Sequence, residues 1–188
     1  MYNLFVKRFF DIFISILFLA TLSPLFILIF FSIKIFDNGP VLFTQRRIGK
    51  NGKEFIFFKF RTMSIDTLEL PSDMISNPKI SFIGQLMRRT NIDELPQLFN
   101  ILIGDMSLVG PRPALFSQKS LIDMRFKNGS INCVPGLTGL AQINSYNSMP
   151  ESKKAKFDEI YSLNISPSLD FFIIIRTFFY LLSPPPVY

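Results

Sequence analysis

From Ile12 to Ile33 the chain runs for 22 residues without a charge, bounded by Asp11 and Lys34. No other feature limits the fold as strongly. As one straight α-helix the stretch would be about 33 Å long, enough to cross the apolar core of a bilayer. It is longer than the apolar part of a secretory signal, and no small-residue cleavage pattern follows it. Its centre reads Leu22-Ser23-Pro24-Leu25. Pro24 lacks an amide hydrogen and its ring clashes with the carbonyl of Ala20, so a kink is predicted there. The Ser23 hydroxyl can bond back to a carbonyl one turn earlier. Two geometries follow: a kinked helix that spans, or a helix that breaks at Ser23-Pro24 and returns to the side it entered. The charges favour the return. Lys7 and Arg8 precede the run, and Lys34, Arg46, Arg47, Lys50 and Lys53 follow it. Positive residues prefer the cytoplasmic side, and only a returning helix keeps both groups there.

At 188 residues there is room for one globular body besides such an anchor. Division is expected at residue 36, with residues 1–36 as the membrane helix and 37–188 as a domain on the cytoplasmic face. Apolar residues make up 48% of the chain against 18% charged, and 23 are Phe, so part of the surface is expected to meet lipid. The net charge of +6 calls for an anionic partner: nucleic acid, lipid head groups or a phosphorylated substrate. There is a single cysteine, Cys133, and no His. That excludes a disulfide framework, Ser-His-Asp triads and His metal sites, leaving carboxylates, Lys, Arg, hydroxyls or an oxygen-bound metal for chemistry.

Beyond the anchor, a turn at 37–40 leads to a strand over Val41–Gln45. Glu54–Phe60 is a second strand or an interfacial segment. Residues 64–80 are polar and loop-like. Helices are predicted over Phe82–Arg89, from about Asp93 to Ile103, over Ala114–Phe126 and over Glu151–Leu163. Gly104–Pro113 reads as a loop, and Pro135–Gly139 as a turn into a strand at Leu140–Ile143. The apolar segment Leu169–Leu182, broken by Asp170 and Arg176, is either a core helix or an amphipathic helix in a membrane interface. The fold class is therefore mixed α/β, mostly helical with short strands, anchored by a re-entrant kinked N-terminal helix and amphipathic interfacial helices.

The most informative polar stretch is Arg88-Arg89-Thr90-Asn91-Ile92-Asp93-Glu94-Leu95-Pro96-Gln97. Pro96 is tolerated only near a helix start, which places Asp93 and Glu94 at an N-terminus. Acidic residues there can simply cap the helix. They can also serve chemistry, because such an end binds phosphate and a carboxylate beside it can be a nucleophile or a metal ligand. Lys59 and Arg61 sit among Phe57, Phe58 and Phe60, where a charge needs a partner. In Gly110-Pro111-Arg112-Pro113 two prolines stiffen the mount of one guanidinium, which suits bidentate recognition of a phosphate or serves a rigid surface turn.

Taken together, these motifs resemble the monotopic phosphoglycosyl transferases, also called bacterial sugar transferases, in their minimal catalytic form. The resemblance rests on Lys7–Asp11, Ser23-Pro24, Gly39–Gln45, Arg47-Ile48-Gly49, Lys59–Met63, Asp93–Leu98, Gly104–Pro113 and Pro135–Gly139, in that order. It implies a helix broken at Ser23-Pro24. It implies that Asp93 attacks the β-phosphate of a UDP-sugar, that Glu94 assists with Mg²⁺ or with proton transfer, and that Lys59, Arg88 and Arg112 hold phosphates. Asp93 and Glu94 are the implied Mg²⁺ ligands. The acceptor would be polyprenyl (undecaprenyl) phosphate, the partners membrane lipids and no nucleic acid, with a homodimer allowed. The implied location is the bacterial inner membrane, with the site on its cytoplasmic face, and the implied sugar is an N-acetylated amino sugar. Leu140 and Asn144-Ser145-Tyr146 depart from the usual Trp and Asn-Gly-Arg of the family, which leaves the sugar open. The rival readings are a membrane-bound phosphohydrolase using Asp93 and a non-catalytic membrane scaffold.

Overall fold

A computed structural model describes residues 4–37, 39–63, 80–144 and 149–182. The uncharged run forms two helices, α1 (Leu4–Thr21) and α2 (Ser23–Asp37), bent by 61° at the break. Among the described residues no single helix is long and apolar enough to cross a membrane; the bent pair together has the length and composition. The predicted break is where Pro24 puts it. Ser23 Oγ donates at 2.8 Å to the carbonyl of Ala20, which Pro24 has no N–H to serve, and Thr21 Oγ1 donates to that of Leu17 at 2.8 Å, one turn before the bend.

An antiparallel hairpin follows, β1 (Leu42–Ile48) and β2 (Glu54–Phe60), with Lys59 opposite Phe43. The first strand runs three residues past its predicted end at Gln45. Next come α3 (Phe82–Thr90), α4 (Gln97–Ile103) and a three-residue strand β3 (Ser107–Val109) inside the segment predicted as loop. Then follow α5 (Lys119–Asn128), β4 (Gly136–Thr138), α6 (Leu140–Ile143), α7 (Glu151–Leu163) and α8 (Pro167–Leu182). The polar segment 64–79 and residues 145–148 lie outside the described residues.

Two corrections bear on the site. The helix predicted from Asp93 divides: Ile92–Glu94 is a 3₁₀ turn, and α4 starts only after Pro96. The expected strand at Leu140–Ile143 is a helical turn, and the strand is Gly136–Thr138 just before it, paired parallel to β3. A short apolar run fits either period, and here close backbone contact decides. A Cβ on Gly136 would lie 2.1 Å from the amide nitrogen of Gly110, and one on Gly110 would lie 2.3 Å from the carbonyl oxygen of Val134. Only glycines let β3 and β4 approach this closely.

The core lies between these elements. Ile29 and Ile33 of α2 pack with Val41, Phe60 and Met87. Phe55 and Phe57 pack with Leu98, Ile101 and Met106. Phe26 tilts against Phe60 at 5.3 Å between centroids, tying α2 to the hairpin. The anchor pair is therefore docked on the domain rather than tethered beside it. Its outer surface is apolar and exposed at Phe9, Phe13, Ile16, Leu17, Leu28 and Phe31, and so is that of α8 at Phe171, Phe178 and Phe179. Ile173 of α8 is fully buried, so this helix is half core and half apolar surface. Arg176 lies 5.6 Å from the ring of Phe172, along that surface.

Candidate active site

Asn91 ends α3 in the left-handed region, at φ 53°, and turns the chain sharply into the 3₁₀ turn that carries Asp93 and Glu94. Asn adopts this conformation at little cost. Neither acid makes a capping bond to α4, so the capping expectation fails. Each acid instead faces a cation mounted on a different element. Lys59 Nζ of β2 lies 2.6 Å from Asp93 Oδ2 and 3.9 Å from Glu94 Oε1. Arg112 grips Glu94 with both arms, Nη2 at 2.5 Å from Oε1 and Nη1 at 3.1 Å from Oε2. The Asp93 side chain is 2% exposed, that of Glu94 14%, and that of Arg112 43%, so the guanidinium is the open side of the cluster.

The two acids are driven in opposite directions. Burial raises the Asp93 pKa above its ordinary 3.8, with the charge of Lys59 acting against it and the neighbouring Glu94 adding to it. Burial also works to raise Glu94, but the Arg112 and Lys59 charges and the hydrogen bonds from Arg112 outweigh it and bring the pKa down to about 2. Glu94 is thus a fixed carboxylate at neutral pH, and Asp93 is the more basic of the two.

Each mount rests on a residue that the sequence reading does not single out, Asn100 for Lys59 and Arg125 for Arg112. Asn100 of α4 accepts from the Phe58 amide at 3.0 Å and donates to the Ile56 carbonyl at 2.6 Å. It supplies β2 with the partner that a third strand would have given, and it locks the helix following the acids to the strand bearing Lys59. Arg125 of α5 donates at 3.0 Å to the carbonyl of Arg112 itself, while its Nε and Nη2 hold Asp158 Oδ2 at 2.9 and 2.6 Å. The amide of Gly110 donates to Thr138 O, and that of Gly136 to Pro111 O, each at 2.9 Å, pinning the Gly110–Pro113 loop to β4. Arg47 donates to Pro113 O at 3.3 Å and lies 5.0 Å from the Phe57 ring. Burial first, and then the like charge of Arg112, lower the Arg47 pKa to about 10.

Arg88 stands one step back. Its Nε donates to Thr62 Oγ1 at 2.9 Å, and its charge acts on Asp93. Arg61, expected to need a partner, keeps its Nη1 buried without a hydrogen bond. Ser23 and Pro24 sit exposed at the helix bend and belong to the anchor, not to this cluster. Among the described residues no group of three or more acidic, Cys or His side chains is arranged to hold a metal ion. Asp93 and Glu94 together offer two carboxylates, a donor set that fits Mg²⁺ when substrate phosphates complete the shell.

Paired acids, each matched to a rigidly mounted cation, suit an enzyme that handles anionic groups. The family follows from the whole chain: the sequence model of the bacterial sugar transferases matches residues 2–184, and the chain belongs to that family. It is 36% identical over 188 residues to the exopolysaccharide production protein ExoY of Sinorhizobium fredii, covering 91% of this chain and 83% of that protein. It is 37% identical over 190 residues to the UDP-glucose:undecaprenyl-phosphate glucose-1-phosphate transferase of Klebsiella pneumoniae, covering 94% of this chain. It is 34% identical over 192 residues to the undecaprenyl-phosphate galactose phosphotransferase of Salmonella typhimurium, covering 92% of this chain. The chain spans 40% of the length of each of these last two proteins.

Proposed function

We propose that this protein moves a phospho-sugar from a UDP-sugar to polyprenyl phosphate by way of an aspartyl phospho-sugar intermediate. The observation that carries the reading is the buried, basic Asp93 carboxylate beside a Glu94 held ionised by Arg112. An Asp93 oxygen attacks the β-phosphorus, the bond from that phosphorus to the bridging oxygen breaks, and UMP leaves. An oxygen of the lipid phosphate then attacks the same phosphorus, the bond to Asp93 breaks, and polyprenyl diphosphate-sugar is released. Lys59 and Arg112 would neutralise the charge on the phosphoryl oxygens, and Arg88 would add to that field. Arg112 is half-exposed and occupied by Glu94, so it would exchange carboxylate for phosphate as the donor enters. Mg²⁺, held by Asp93, Glu94 and the donor phosphates, would supply further charge neutralisation.

The bent helix pair and the apolar outer face of α8 fit a protein held in one leaflet, on the cytoplasmic face of a bacterial inner membrane. In a Cys133→Ser background, cysteines placed at the exposed positions 5 and 35, near the two ends of the helix pair, should both react with an impermeant reagent from the cytoplasmic side only. Reaction from opposite sides would establish a spanning helix.

The pH dependence follows from the Asp93 shift. Because its pKa is raised by burial, the attacking carboxylate is lost on the acid side at a pH above the ordinary Asp value of 3.8. Removing Lys59, whose charge lowers that pKa, should move the acid limb further up. A profile of kcat/KM for UMP release, compared with that of Lys59→Met, checks this; an unshifted or lowered limb in the variant contradicts it.

The deciding experiment is UMP release by purified protein with Mg²⁺, with and without polyprenyl phosphate, across a panel of UDP-sugars. Glucose and galactose come first because relatives are named for them, with an N-acetylated amino sugar beside them. Sustained release that requires the lipid supports the transferase. Sustained release without lipid means a phosphohydrolase, and no release with any donor favours the scaffold reading.

A further inference from the structure

A second buried polar cluster lies away from the acids, where α1 meets α8. Lys7 Nζ of α1 is 2.5 Å from Asp170 Oδ2 of α8 and 3.2 Å from the hydroxyl of Tyr161. The Tyr161 hydroxyl lies 2.8 Å from Asp170 Oδ1 and 3.0 Å from the carbonyl oxygen of Val109, and its one proton serves the two acceptors. The Lys7 and Asp170 side chains are only 11% and 9% exposed. One residue on, Arg8 donates to the carbonyls of Ile101 and Leu102, the latter at 2.8 Å. One turn on, Asp11 Oδ1 accepts from the Leu108 amide at 2.9 Å. Within two turns, α1 is therefore fixed by polar contacts to α8, to the end of α4 and to β3. The helix α4 begins just after Asp93 and Glu94, and β3 runs directly into the loop that carries Arg112.

Apolar contacts are poor at fixing a helix in one orientation, because lipid and core side chains receive an apolar face about equally well. A buried ion pair with hydrogen bonds adds little net stability, but it has one geometry. We propose that Lys7, Asp170 and Tyr161 are positioning residues that set the depth and tilt of α1 and α8 against the Asp93–Glu94 turn, and so register the site with the height of the lipid phosphate. This rests on the transferase reading. It assigns the cluster to the lipid half of the reaction, because a soluble nucleotide sugar reaches the acids from water whatever the depth of the helices.

The test uses the full chain in vesicles of phosphatidylglycerol and phosphatidylethanolamine. The variants are Tyr161→Phe, and the double replacement of Lys7→Met with Asp170→Leu, which leaves no lone buried charge. UMP release in a single turnover without lipid acceptor should stay within about twofold of the parent, while KM for polyprenyl phosphate rises about tenfold at unchanged melting temperature. The chain has no Trp, so Phe178→Trp gives a single reporter whose quenching by brominated lipids reads depth, and it should shift in both variants. Equal loss in both half-reactions, or an unchanged lipid KM with unchanged depth, overturns the proposal. Should the double variant fail to fold, Tyr161→Phe decides alone. Should the parent release no UMP, the transferase reading fails by itself and the depth readout decides: an unshifted reporter overturns the positioning role, and a shifted one sustains it.

Discussion

Asp93→Asn is expected to abolish both UMP release and the phospho-sugar adduct on the protein, with a loss on the order of 10³-fold or more in kcat. The amide keeps the size of the carboxylate but offers no anionic oxygen to phosphorus. It also removes a charge held at 2.6 Å from Lys59, so the partly buried cation keeps only the more distant Glu94, at 3.9 Å. Stability should therefore fall modestly while chemistry fails completely. The adduct is the sharper readout: intact-mass measurement after mixing with UDP-sugar and no lipid should show the added phospho-sugar in the parent and none in the variant. Normal turnover in Asp93→Asn would remove Asp93 from the nucleophile's role, and an adduct in the variant would move that role to another residue.

Arg112→Ala should cost about 10²- to 10³-fold in kcat/KM for the donor, the scale seen when a preorganised charge partner of a transition state is removed. A second effect separates this residue from a general phosphate binder. The Arg112 charge is the largest influence holding the Glu94 pKa at about 2 against burial. Without it, Glu94 moves up, and a carboxylate that was ionised throughout begins to titrate in the working range. The sign of the stability change follows. In the parent, the depressed Glu94 contributes stability that is present above its ordinary 4.5 and is lost as pH falls toward 2. In the variant that contribution disappears, so its melting temperature should differ most from the parent at neutral pH and converge with it in acid. Arg112→Lys, which keeps the charge but not the two-armed grip, should recover part of the pH behaviour and little of the rate. Convergence at neutral pH would mean that Glu94 does not depend on Arg112.

Much of this was legible in the sequence, and the failures have identifiable causes. Ser23-Pro24 announced the bend because proline acts locally, whatever surrounds it. The helices expected over Phe82–Arg89 and Glu151–Leu163 are present, the first one residue longer, and of the two readings of Glu54–Phe60 the strand is the one observed. Pro96 also suits the turn that follows a 3₁₀ segment, which hides the true start of α4, and Leu140–Ile143, four residues of which three are apolar, carries no decisive period. The acids and Arg112 were found, but not the bonds that join them. Arg112 was expected at a phosphate, and in this structure its two arms are on Glu94. In the sequence Lys7 is one of several charges flanking the apolar run. Its burial depends on Asp170, 163 residues away, and no local pattern announces a partner at that separation. Asn100 and Arg125 escaped for the same reason, since each meets its partners across 13 to 44 residues of chain.

Asn100 has one more implication, for how the molecule assembles. A two-stranded hairpin is marginal in water by itself. Here the edge of β2 at Ile56 and Phe58 is completed by a side chain on α4, the helix that follows the turn bearing Asp93 and Glu94. The strand with the lysine and the turn with the acids therefore form a single cooperative unit: neither is finished while the other is open. The Phe58 amide should then exchange with solvent deuterium only through an opening that also dismantles the site, which makes its exchange rate a direct report on the fraction of molecules competent to react.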